Sequence, residues 1–274
     1  MIRAVDGGLD DILRVEDVTV SFNGFKALNG LTLALRRGEL RVVIGPNGAG
    51  KTTLLDIITG KSRPQTGRVL FQGRSLARLS EQDIARLGIG RKFQTPNVFK
   101  TLTVLENLML AVQTKRGVSH SLLGGTKQGM DRVDEVMSII GLGAKAYRPA
   151  GLLAHGEKQW LELGMVMAQG SELLLIDEPV AGMTPRESER TGELLSAMAR
   201  KHTLLVIEHD MSFVRQIAKK VTVLDEGKLL FEGTVDEVQR NEKVIEVYLG
   251  HDKKDTAAKK PRHRMAALTS SAAS

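Results

Sequence analysis

The chain of 274 residues contains no cysteine. That excludes a disulfide framework, a thiolate metal site and a cysteine nucleophile. Aromatic residues make up only 4%, too few for the stacking platform that grips single-stranded nucleic acid. Long apolar runs are also missing. Leu173 to Ile176 is the length of a buried strand, and nothing approaches the roughly 18 residues of a membrane span. Any membrane role is therefore expected to run through a partner. The start, Met1 to Leu13, carries Asp6, Asp10 and Asp11 without an apolar core and reads as neither a signal nor a transit peptide. A strong charge bias is absent from the body. Net charge is +7, but +4 of it falls in residues 251–274, where Lys253, Lys254, Lys259, Lys260, Arg262 and Arg264 face only Asp252 and Asp255. The rest is mildly basic, and no nucleic-acid partner is expected.

What is present is ordinary for a folded protein: 42% hydrophobic and 26% charged residues, which excludes wholesale disorder. Ile12 to Phe22 alternates as a half-buried strand, followed by apolar alternation at Leu31 to Leu35 and a continuous apolar strand at Leu40 to Ile44. Lys51 to Ile58 reads as a helix with Gly60 as its stop. Gly67 to Phe71 is a further strand. From about Val98 to Gln169 the period becomes helical, with helices at Thr103 to Val112 and Met130 to Ile140 and a Gly-rich loop at Gly117 to Gly129. Strands return at Leu173 to Ile176 and Thr203 to Ile207, with a helix at Glu187 to Arg200 between them. A hairpin turns at Asp225-Glu226-Gly227, and a closing helix is expected over Val235 to Leu249. Short, wholly apolar strands alternating with helices predict an α/β fold with a mostly parallel core sheet. An antiparallel β layer precedes it and a helical block, about 98–169, is inserted. The expected division is a domain over 1–250 and a basic, disordered tail over 251–274.

Two segments carry chemistry. Gly45-Pro46-Asn47-Gly48-Ala49-Gly50-Lys51-Thr52 has the form G-x-x-x-x-G-K-[ST], set between an apolar strand and an amphipathic helix. Glycines let backbone N–H groups turn inward around a polyphosphate, and the next helix presents its N-terminus to the same anion. Lys51 suits the β- and γ-phosphates, and the Thr52 hydroxyl suits Mg²⁺; Thr53 follows in the same turn. Leu173 to Ile176 then delivers Asp177 and Glu178 at a strand's C-terminal end, where open α/β sheets bind ligands. Asp177 is expected on the Mg²⁺ side and Glu178 beside an attacking water.

Together these residues resemble the nucleotide-binding subunits of ABC transporters over about Leu13 to Gly250. The resemblance implies the P-loop NTPase fold of ABC ATPases, with ATP and Mg²⁺ as cofactors. It gives further roles by position. Gln94, in Arg91-Lys92-Phe93-Gln94, resembles the glutamine that senses Mg²⁺ and water. His209 resembles the histidine that contacts the γ-phosphate. Phe22 resembles the residue that stacks on adenine, with Phe25 as the rival and simple core as the other reading of either. Leu153-Ala154-His155-Gly156-Glu157 stands where the signature L-S-G-G-Q belongs. That signature contacts the nucleotide of a partner subunit. Ala154 lacks the family's serine hydroxyl, which leaves backbone N–H groups at Gly156 and the helix dipole to face the phosphate. Thr184 stands where many members have Asp.

A narrower likeness is carried by Phe93 to Phe99, His155 to Glu162, Glu178 to Thr184 and Val244 to Gly250. These segments are similar to the ATP-binding subunits of urea ABC importers, relatives of the branched-chain amino acid importers. The implied assembly holds a second ABC ATPase subunit, two permease subunits and an extracytoplasmic substrate-binding protein, with this chain on the cytoplasmic face of the inner membrane. Phe93, Pro96, Val98 and Phe99 are either a docking patch for a permease or local core. Three rival readings fit less well. A GTPase lacks its Asn-Lys-x-Asp base-reading motif here. A soluble ABC ATPase acting on ribosomes or DNA usually has two ATPase halves or long insertions. A non-catalytic subunit does not need Lys51, Asp177, Glu178 and His209 intact.

Overall fold

The computed structural model describes residues 10–92, 97–113 and 127–247. Strand β1 (Asp11–Phe22) turns through Asn23-Gly24 into β2 (Phe25–Arg36), with Phe22 paired to Phe25. Both turn residues have positive φ, 49° and 85°, the Asn-Gly geometry that matches strand twist. With β4 (Thr66–Phe71) and β5 (Arg74–Ser75) they form an antiparallel sheet in the order β2-β1-β4-β5. The expected separate strand at Leu31 to Leu35 is part of the longer β2.

The second sheet runs β10-β9-β3-β8-β7-β6. It comprises β3 (Leu40–Ile44), β6 (Ile89–Lys92), β7 (Leu173–Asp177), β8 (Thr203–Ile207), β9 (Lys220–Asp225) and β10 (Lys228–Gly233). All neighbours pair parallel except β9 and β10, a hairpin through Glu226-Gly227. Alternation across the pleat splits the apolar strands between two cores. Leu173, Leu175 and Val43 face the core shared with the antiparallel layer and helix α1 (Lys51–Ile58). Leu174, Ile176, Val42 and Ile44 face the helical side. That side holds α3 (Val104–Gln113), α4 (Lys127–Ile140) and α5 (His155–Ala168), which lie between β6 and β7 in sequence and pack on one another. It also holds α6 (Pro185–Met198) and α7 (Met211–Ile217), capped by Thr184 and Asp210.

Some expectations are corrected. Lys127 to Gly129 open α4 and are not loop; residues 117–126 of that expected loop lie outside the described residues. The closing helix is broken. Helix α8 (Val235–Arg240) stops at Asn241, whose ψ of 117° is extended and whose side chain caps residues 242–247 by accepting from the Val244 N–H at 3.2 Å. Leu249 and the tail 251–274 lie outside the described residues. Three short elements had no periodic signal: α2 (Glu81–Leu87), β6 and α7.

A buried cation braces the sheet behind the site. Arg41 of β3 is 1% exposed. It donates to Glu39 at 2.6 Å and to the Thr222 hydroxyl at 2.8 Å, and pairs with Glu232 of β10. Removing one member of such a network strands the others in low dielectric. Arg41→Ala is expected to cost about 3–5 kcal/mol, read as a lowered midpoint in guanidinium unfolding; an unchanged midpoint would show the network to be idle.

Candidate active site

Parallel pairing brings the C-terminal ends of β3, β7 and β8 to one edge, with Asp177 in register with Ile207 and Val43 with the same residue. The loop Gly45 to Gly50 leaves β3 there and enters α1. Gly50 is left-handed at φ 98°, and a Cβ on it would meet Leu28 Cδ2 at 2.8 Å and the Ala27 carbonyl. Only glycine lets the loop fold this tightly against the antiparallel layer. The β9–β10 turn braces it further, Gly227 N–H donating to the Ala49 carbonyl at 3.2 Å. Pro46 and Ala49 are buried, while Asn47, Gly48 and Thr52 face solvent and Thr53 is half-buried. Lys51 lies back over the loop, its Nζ donating to the Gly45 carbonyl at 2.6 Å and the Pro46 carbonyl at 2.9 Å. Burial lowers the Lys51 pKa from its ordinary value, against the opposing pull of Glu178 and Asp177.

Asp177 ends β7 with 3% exposure. Burial raises its pKa; Arg91 opposes this, its Nη2 lying 3.6 Å from Asp177 Oδ2, and Glu178 adds to it. Arg91 is itself anchored on Asp56 of α1 at 2.6 Å. Glu178 follows at φ 44°, a left-handed conformation unusual for a side chain with Cβ. Its N–H donates to the Ile207 carbonyl at 3.0 Å, tying the bend to β8. His209, after β8, places Nδ1 3.6 Å from Glu178 Oε1. Glu208 beside it is buried and accepts from the backbone N–H of His209 at 2.8 Å and of Asp210 at 3.2 Å. It thereby fixes the turn that carries His209.

Lys51, Asp177, Glu178 and His209 thus converge on the glycine loop. Among the described residues no cluster of three or more His, Asp or Glu is arranged to hold a metal alone. One hydroxyl at Thr52 and one carboxylate at Asp177 fit Mg²⁺, which takes its other ligands from water and substrate phosphates. The cradle and the donor set therefore fit Mg-nucleotide. Arg91 and Glu208 are supporting residues that sequence reasoning missed. Glu208 had one signal, a charge after an apolar strand beside His209; Arg91 had none, because β6 was not legible.

Other expected residues stand elsewhere. Gln94, with Phe93, Thr95 and Pro96, lies outside the described residues. Of the two described members of the expected docking patch, Val98 is buried in the helical-side core and Phe99 is exposed. Phe22 and Phe25 are not core; at the hairpin tip they are 50% and 63% exposed. Ala154 to Glu157 form the start of α5, where Ala154 is the cap residue without a side-chain acceptor. Glu157 accepts the Ala154 N–H at 3.1 Å and pairs with Lys145. His155 Nε2 lies 3.4 Å from the Ala181 carbonyl. The Gly156 N–H, expected to stand open, faces the Glu187 carboxylate of the same chain.

Known proteins agree with this architecture. The family model for ABC transporter matches residues 28–181, and that for branched-chain amino acid ATP-binding cassette transporter matches residues 228–254. The chain is 38% identical over 249 residues to the high-affinity branched-chain amino acid transport ATP-binding protein LivG of Salmonella typhimurium, covering 87% of this chain and 98% of that one. It is 34% identical over 251 residues to BraF of Pseudomonas aeruginosa, of the same description, covering 87% and 98%. A solved ATP-binding cassette of an ABC transporter in its ADP conformation superposes with a TM-score of 0.77 at 30% identity, covering 88% of this chain and 99% of that one.

Proposed function

Because the chain belongs to the ABC transporter family, whose ATP-binding cassettes hydrolyse Mg-ATP, we propose that it powers an importer of branched-chain amino acids or a related small amide. The observation that supports the cargo class is the likeness to LivG and BraF along nearly their whole length. Urea, the narrower expectation, gains no support from these relatives. It rests on segments such as His155 to Glu162 alone.

In this reading Gly45 to Thr53 hold the phosphates, and Thr52 with Asp177 and Gln94 holds Mg²⁺, which supplies charge neutralisation when bound. Glu178 orients water in line with the γ-phosphate, and Lys51 and His209 stabilise developing charge. Glu208 keeps His209 in place, and Arg91 keeps Asp177 in place. Phe22 or Phe25 takes the adenine. Residues 154–157 meet the nucleotide held by a second ATPase subunit. Two permease subunits take up the motion, and a substrate-binding protein outside the membrane delivers cargo. No helix of the described residues is long and apolar enough to cross a membrane, so attachment to the cytoplasmic face runs through the permeases. Cells lacking this chain, complemented by wild type or Lys51→Ala, test the reading by uptake of labelled leucine and labelled urea. Loss of leucine uptake restored only by wild type supports it. Loss of urea uptake alone moves the cargo to urea, and loss of neither overturns the transport reading.

A further inference from the structure

The start of α5 is clasped to the start of α6 by a single carboxylate. Glu187 is the third residue of α6 and accepts from the Thr184 N–H at 2.9 Å and the Thr184 hydroxyl at 2.8 Å, the usual reciprocal cap. The same carboxylate lies against α5. A Cβ built on Gly156 would meet Glu187 Oε1 at 2.6 Å, so a larger residue there would push the carboxylate aside. Hydrogen bonds from Thr184, and in smaller measure from the Gly156 N–H, hold the Glu187 pKa below the usual carboxylate range. Two more contacts fasten α5 to α6 and to the loop before it. His155 reaches the Ala181 carbonyl at 3.4 Å, and Trp160 Nε1 donates to Thr191 of α6 at 2.9 Å. Ala154 has no side-chain oxygen for this helix end, and the carboxylate from α6 supplies the missing acceptor. It also brings a negative charge to the spot where, in the proposed function, the partner's nucleotide would place a phosphate.

We propose that Glu187 is a positioning residue that caps α5 from α6 and, by its charge, raises the ATP concentration at which two subunits close. The inference rests on the sandwich reading given above. A phosphate approaching the α5 N-terminus competes with Glu187 for the Gly156 N–H and is repelled by it. Glutamine keeps one oxygen for the Thr184 cap and turns an NH2 group, a donor, toward Gly156, so it removes both the charge and the acceptor that competes with the phosphate.

The test is the ATP dependence of hydrolysis by the complex that the full-length chain forms in membranes, with Glu187→Gln, wild type and Lys51→Ala in parallel. The expected result is an apparent KM for ATP at least threefold lower in Glu187→Gln, with kcat within twofold. The gap should narrow at high salt, because the repulsion is screened. A lowered kcat at unchanged KM would mark a purely structural cap and overturn the proposal, as would a raised KM. Should Glu187→Gln fail to fold, Glu187→Asp withdraws the charge by one methylene and is expected to lower KM by a smaller step; an unchanged KM there overturns the proposal too. Hydrolysis no greater than that of Lys51→Ala in any of the proteins overturns the ATPase reading of the site along with it. Lys51-dependent hydrolysis with an unshifted KM overturns the role of Glu187 alone.

Discussion

Glu178→Gln is expected to leave ATP bound and stop its hydrolysis. Glu178 is the first residue beyond β7, and its bend is fixed twice, by the left-handed φ of 44° and by the N–H donated to Ile207. Such a conformation costs of order 1–3 kcal/mol and persists where the surroundings over-determine it. Here the surroundings aim the carboxylate at His209, 3.6 Å away. Glutamine has the same shape and backbone demands, so the bend and the loop beside it should survive. What it lacks is a carboxylate that polarises water and takes up its proton. General-base contributions are typically about 10²–10⁴-fold, and single-turnover hydrolysis should fall by that much. Labelled ATP should stay with the protein through rapid gel filtration. Turnover within a fewfold of wild type would remove Glu178 from the reaction and leave His209 as the candidate to test next.

The parts of this site that were legible in sequence are those whose signal is local. Leu40 to Ile58 spells strand, glycine loop and helix in one stretch, and β7 announces itself as four apolar residues before Asp177. The parallel core sheet and the antiparallel layer follow from the same patterns. The illegible parts are contacts between elements far apart in the chain. Arg91 reads as a surface charge until β6 is seen lying beside β7, which brings it to Asp177. Glu187 reads as the start of an ordinary helix until α6 is seen against Gly156. Strand β6 itself was hidden because its four residues include Arg91 and Lys92, both taken inside by partners rather than by apolarity. Alternation in β1 suggested core for Phe22, but the Asn23-Gly24 turn carries Phe22 and Phe25 to an exposed tip. Periodicity predicts which face a residue shares; it does not say where the sheet ends.

Lys51→Ala is expected to abolish tight ATP binding while leaving the fold intact. The ammonium bridges the Gly45 and Pro46 carbonyls across the mouth of the loop. It also feels both Glu178 and Asp177, whose attraction opposes the desolvation of Lys51. Its removal takes away charge-assisted hydrogen bonds to phosphate, each worth about 1.5–3 kcal/mol, and leaves less positive charge beside Glu178 and Asp177 to meet an incoming polyanion. Affinity should drop by at least about 100-fold on that scale. The helix should not suffer. Alanine is the best helix former, and α1 is held by Leu54, Leu55, Ile57 and Ile58 on its buried face. Thermal unfolding separates the two effects. A ligand that binds only the folded state raises stability by RT ln(1 + [L]/Kd). Wild type should therefore gain several degrees in saturating Mg-ATP, and Lys51→Ala should melt at its nucleotide-free temperature whether or not nucleotide is present. An ATP-induced shift equal to that of wild type would mean that the backbone cradle alone carries the affinity, and that Lys51 acts only when the γ-phosphate leaves.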